Sequence, residues 1–86
     1  MIRALVCAAL LGGCTVTEEA CDSRSEVMQY LASRFREVPV AMGLSNKGHV
    51  VELLIGPGGS WTLLQTDTEG RACLTDAGDH FQTRRR

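Results

Sequence analysis

The sequence predicts an α+β domain in which one N-terminal helix packs on a four-stranded antiparallel β-meander and one disulfide staples the whole. Three observations carry that prediction. One stretch, Val27 to Phe35, repeats its apolar residues at helical spacing; four later stretches alternate with turn residues at strand-like intervals; and Cys21 and Cys73 bracket both regions. The chain has 86 residues and a formal net charge of -1. That length holds one small core and leaves no room for two domains.

The first residues set the compartment in which the rest folds. Arg3 is followed by an uncharged apolar run from Ala4 to Leu11, then by Gly12, Gly13 and Cys14. A basic start, an apolar middle and small residues at the end are the layout of an export signal, so residues 1–13 read as a signal peptide. The apolar run is far shorter than the roughly 20 residues a bilayer-spanning helix needs, so removal fits better than permanent anchoring. Residues 14–22 follow as a flexible tether: Thr15-Val16-Thr17-Glu18-Glu19 is polar and without apolar period.

Leu11-Gly12-Gly13-Cys14 resembles the lipobox of bacterial lipoproteins. The resemblance implies that Cys14 receives a diacylglycerol on its thiol, becomes the first residue of the mature chain and is acylated at its new N-terminus. Gly12 departs from the commoner Ala, Ser or Thr of that motif. Several acyl chains, each methylene contributing about 0.8 kcal/mol, would hold such a protein firmly on a membrane. The alternative addresses are a soluble periplasmic protein or a secreted, non-lipidated one cut near Ala20.

With Cys7 removed in the leader and Cys14 taken by lipid, Cys21 and Cys73 remain of the four cysteines. In an oxidising compartment such a pair in a small domain is expected to bond. Closing that loop restricts the unfolded chain by roughly 4 kcal/mol in the chain-entropy model. In an intracellular location the two would instead be buried thiols. Neither belongs to a C-x-x-C pair, which removes redox catalysis and zinc-ribbon readings.

The domain proper is expected over residues 23–80. Ser23-Arg24-Ser25-Glu26 has the S-x-x-E spacing of a capping box and marks a helix start. Val27, Leu31 and Phe35, widened by Met28 and Tyr30, form one apolar stripe, with Arg24, Arg34 and Arg36 at its wet edge. Pro39 drives Val38 out of helical dihedrals, so the helix ends by about Glu37. Past the proline, Val40–Leu44, His49–Ile55, Ser60–Thr66 and Arg71–Thr75 read as strands. The turns between them are Ser45-Asn46-Lys47-Gly48, Gly56-Pro57-Gly58-Gly59 and Asp67-Thr68-Glu69-Gly70.

Alternation along the second strand places Val51, Leu53 and Ile55 on one face, and Trp61 and Leu63 match them from the third. The helix is expected over that face, with Cys21 reaching Cys73 to clamp helix to sheet. Val50, Glu52, Leu54, Thr62 and Leu64 then lie on the opposite face, open to water, as a mixed patch suited to binding a partner. Residues 81–86 are a basic tail ending in Arg84-Arg85-Arg86, read as solvated, with attraction to anionic lipid or cell-wall polymer as the functional alternative.

Little in the chain points to catalysis. Ser60 with His49 or His80 and Asp79 has the composition of a hydrolytic triad but no G-x-S-x-G elbow. His49, His80 and Asp79 are too few and too scattered for a metal site. The glycines from Gly56 to Gly59 join strands instead of opening a helix, and the Walker lysine is missing. From Cys14 onward eight basic side chains face ten acidic ones, which gives no basic surface for nucleic acid.

The body from Cys21 to Gly78, carrying Gly43-Leu44, His49-Val50-Val51-Glu52-Leu53, Ser60-Trp61-Thr62 and Gly70-Arg71-Ala72-Cys73, resembles a group of short exported bacterial proteins for which no activity is established. The expected function is that of a non-catalytic, monomeric structural or protein-binding module, without cofactor or metal. It would be held on the periplasmic side of a bacterial membrane by its lipid and partnered by an envelope protein. A small periplasmic enzyme or enzyme inhibitor is the competing class.

Overall fold

A computed structural model describes residues 6–8, 13–15 and 20–84. The first two pieces are strands β1 (Val6–Ala8) and β2 (Gly13–Thr15), paired antiparallel with Cys7 opposite Cys14 in the backbone register. The signal and lipidation readings of residues 1–14 turn on cleavage and acylation, and the Cys14 thiol lies outside the described side chains. From Ala20 the chain runs β3 (Ala20–Ser23), α1 (Arg24–Phe35), β4 (Val38–Leu44), β5 (Val50–Ile55), β6 (Trp61–Thr66) and β7 (Arg71–Gly78).

The second sheet has five strands in the order β3-β7-β6-β5-β4, all neighbours antiparallel. The class is α+β, but the expectation of four strands with the helix first is corrected. β3 precedes α1 and takes residues 20–22 out of the expected tether, pairing Ala20, Cys21, Asp22 and Ser23 with Leu74, Cys73, Ala72 and Arg71. Such a four-residue strand has no apolar alternation of its own; it is a strand because β7 supplies a ladder fifty residues away. The Cys21–Cys73 disulfide joins two directly opposed residues of that pair. It therefore staples strand to strand and not, as expected, helix to sheet.

The meander itself is local. Its three hairpins share one turn: Gly48, Gly59 and Gly70 take positive φ of 82°, 95° and 86°. Their N–H groups donate back to Ser45, Gly56 and Asp67 at 2.9, 3.1 and 3.2 Å. A type I turn closed by a left-handed residue is the three-residue hairpin loop, and glycine adopts its last position without steric cost.

α1 starts where the capping spacing placed it. Ser23 is extended and its Oγ accepts from the Glu26 N–H at 3.3 Å. The return half of the box is taken by another residue, because the Ser23 N–H donates to Asp22 Oδ1 at 2.8 Å. At the other end Arg36 turns left-handed at φ 56°, and its N–H donates to the Ala32 carbonyl at 3.1 Å. That turn drops Glu37 beneath the helix end and starts β4 two residues earlier than the apolar run suggests.

The covered sheet face is the opposite of the one expected. Val27 and Leu31 pack on Leu54, Leu64 and Ala72 to form the buried core, with Met28 and Leu74 at its margin. Glu52, Thr62 and Thr66 are buried on the same side. Val51, Leu53, Ile55 and Leu63 point the other way and are half-buried. Arg24, at the first turn of α1, explains the inversion: its Nε and Nη2 donate to the two Glu52 carboxylate oxygens at 2.9 and 2.8 Å. A carboxylate so paired is compatible with burial, and the flanking leucines then supply the apolar contact. Phe35, expected in the stripe, is largely exposed.

Candidate functional site

The five residues expected to form an exposed patch are brought together, but beneath the helix. Glu52 is 3% exposed, Leu54, Thr62 and Leu64 are likewise buried, and Val50 is half-buried. They form interior, not a docking face. His49 is engaged across the sheet with Gln65, whose Nε2 lies 2.8 Å from the imidazole Nδ1. Among the described residues no group of three or more His, Cys, Asp or Glu side chains gathers as metal ligands do.

Two features that the sequence does not mark take the place of that patch. The first is the edge strand β4. It lies at one end of the sheet order, every residue from Val38 to Leu44 is exposed, and none is charged. Met42 and Leu44 stand 71% and 74% accessible, beside Val38 and Val40. Edge strands are ordinarily blunted by charge, proline or a bulge, because an open ladder is a template for another strand. Here Pro39 and a register shift between Pro39 and Ala41 blunt the first half only. Ala41 to Leu44 retain regular pairing with Leu53, Glu52, Val51 and Val50 on one side. Among the described residues no strand lies on the other.

The second feature is a cavity of about 800 Å³ between the C-terminal end of α1 and strands β6 and β7. Tyr30, Leu31, Phe35 and Leu74 line it with apolar surface, and Tyr30 and Phe35 meet edge to face with ring centroids 6.1 Å apart. Trp61 also lines it; its indole N–H donates to the Asp79 carbonyl at 3.3 Å and its ring lies against Phe81 at 6.5 Å between centroids. The polar lining comes from Glu37, Ser60, Thr62, Thr75, Asp76 and Asp79, without a lysine, arginine or histidine.

Glu37 is the unusual member. It is 3% exposed, its Oε1 has no hydrogen-bond partner, and it makes no ion pair with a described residue. The backbone forces it inward. Its N–H donates to the Leu31 carbonyl at 3.1 Å, the left-handed Arg36 aims the chain under the helix, and its Cγ rests over Gly56. A β-carbon at Gly56 would fall 2.6 Å from the Phe35 carbonyl oxygen and 2.7 Å from Ser60 Oγ, so glycine is required for this close passage. The sequence marks Glu37 only as the approximate helix end. Nothing in the local sequence marks its burial, which follows from the left-handed turn at Arg36.

Comparison with protein-family models, with curated proteins and with solved structures finds no match.

Proposed function

We propose that this protein is a non-catalytic binding module of the bacterial cell envelope, exported by its leader and anchored through a lipid on Cys14. On this reading it captures an extended, uncharged segment of another envelope protein along β4. The observation that carries the binding role is the exposed, uncharged second half of that strand. Strand addition draws affinity from main-chain hydrogen bonds and selectivity from alternate side chains, here Met42 and Leu44. Pro39 and the bulge shorten the free ladder to four residues. The export half of the proposal is supported by the leader, and the Cys21–Cys73 crosslink is compatible with an oxidising address.

Site-specific photo-crosslinking in intact cells tests the docking edge. A photoreactive residue in place of Met42 is expected to join an extended segment of another polypeptide. The same probe in place of Glu69, on a turn away from that edge, is expected to join none. Equal yields at the two positions, or adducts solely to a second copy of this chain, would overturn the docking reading. For the address, mass spectrometry of the envelope fraction should find a chain beginning at acylated Cys14. A full-length, unmodified chain in the cytosol would end it.

A further inference from the structure

We propose that the cavity beneath the end of α1 is a binding site for a primary ammonium group carried on an apolar stem, with Glu37 as the acceptor. This rests on the Glu37 environment and is independent of the β4 edge. A carboxyl oxygen withdrawn from water and left without a donor is costly, and native structures rarely retain one without a purpose. The terminal torsion of a glutamate is broad and nearly two-fold, so either oxygen can turn to the cavity. What Glu37 lacks is a hydrogen-bond donor, and the cavity supplies none with charge: its lining holds Asp76 and Asp79 as further acids and no basic side chain.

Arg34 is one turn of helix away, but its guanidinium sits over the Tyr30 ring, 5.6 Å from the centroid, and it forms no ion pair with Glu37. The field inside therefore favours a cation. Anions are repelled by three carboxylates, and a neutral hydroxyl or amide donor can satisfy the orphan oxygen without answering the charge of the cluster. Tyr30 and Phe35 fit the apolar stem of such a ligand. A quaternary ammonium has no N–H to give Glu37, which narrows the class to ammonium groups that keep an N–H, of which the primary amine offers the most donors. The volume of about 800 Å³ lies within the range of small-molecule sites. The same chemistry is offered by a free alkyl or aryl amine and by a lysine side chain of a peptide.

The disulfide-bonded protein is titrated with 2-phenylethylamine, with the neutral 2-phenylethanol, and with an acetylated, amidated Phe-Lys dipeptide. Isothermal titration calorimetry provides the signal. The amine is expected to bind about tenfold more tightly than the alcohol, the ratio one charge-assisted hydrogen bond supports. Tighter binding of the dipeptide than of the amine assigns the source to a lysine side chain, and the reverse to a free amine; both support the site. In Glu37→Gln the preference for amine over alcohol should vanish while the alcohol affinity stays. Equal affinity of amine and alcohol in the wild type, no saturable change with either amine, or a preference that survives Glu37→Gln would each overturn the proposal. Should Glu37→Gln fail to fold, the wild-type comparison decides alone.

Discussion

At the scale of single residues, the Arg24–Glu52 pair decides which way the sheet faces. Glu52 is buried and accepts two hydrogen bonds from one guanidinium, while the Arg24 side chain keeps 47% of its surface in water. Removing one partner of a buried pair commonly costs 3–5 kcal/mol, and the half-exposed arginine puts this pair at or below the low end, about 2–3 kcal/mol. Arg24→Ala should lower the urea midpoint by that equivalent. The double change Arg24→Met, Glu52→Leu should return to within about 1 kcal/mol of wild type, since an apolar pair of similar volume leaves no charge stranded. A single change as mild as the double one would show that water already solvates Glu52. Asp67 is the second informative residue. The N–H groups of Arg71 and Glu69 donate to its Oδ1 at 3.0 and 2.9 Å and hold its carboxyl below the ordinary carboxylate value of 3.8. A folded-state pKa that is depressed contributes stability above the unfolded value and loses it as pH falls through the folded one. Asp67→Ala should therefore melt lower than wild type at neutral pH, with the gap narrowing steadily below pH 3.8. A gap that stays constant into acid would assign the effect to shape and not to the charged acceptor.

At the scale of elements, the helix end and the sheet edge are where local rule and tertiary demand part. Arg36 is left-handed, a conformation costing a side-chain-bearing residue roughly 1–2 kcal/mol that glycine avoids. Glycine brings extra freedom to the unfolded chain, so Arg36→Gly should gain a net of about 0.5–1 kcal/mol in thermal or urea melts. A loss would mean that the Arg36 side chain makes a contribution its exposure does not suggest. Most elements are legible in the sequence because their causes are local: Ser23 caps, Pro39 stops, and Gly48, Gly59 and Gly70 turn. What is not legible depends on contacts across the chain. Val51-Leu53-Ile55 and Val50-Glu52-Leu54 differ by one acid, and alternation alone favours the wrong face. The deciding group, Arg24, lies 28 residues away on the helix. β3 is hidden for the same reason, since Ala20-Cys21-Asp22-Ser23 becomes a strand only through β7. The cavity inherits both difficulties, because nothing in the sequence marks Glu37 as buried until the helix is placed on its true face.

At the scale of the whole molecule, the question is whether so small an interior holds alone. The buried cluster is Val27, Leu31, Leu54, Leu64 and Ala72, and much of the remaining apolar surface, on β4 above all, stays in contact with water. A domain of some 65 residues is ordinarily stable by about 3–10 kcal/mol. The Cys21–Cys73 bond spans a sequence separation of 52. By the chain-entropy relation a loop of that size is worth roughly 4 kcal/mol, a large share of that total. The crosslink also holds β3 on the sheet edge, and with it the start of α1, the position of Arg24 and the ion pair that buries Glu52. Loss of the bond should thus act through the entire two-layer packing and not only at the edge. The double change Cys21→Ala, Cys73→Ala is expected to lower unfolding free energy by about 4 kcal/mol, leaving a substantial unfolded fraction at 37 °C by circular dichroism, and wild type held in reductant should match it. A double variant that keeps the wild-type urea midpoint would show that five core side chains and one buried ion pair suffice without the covalent link.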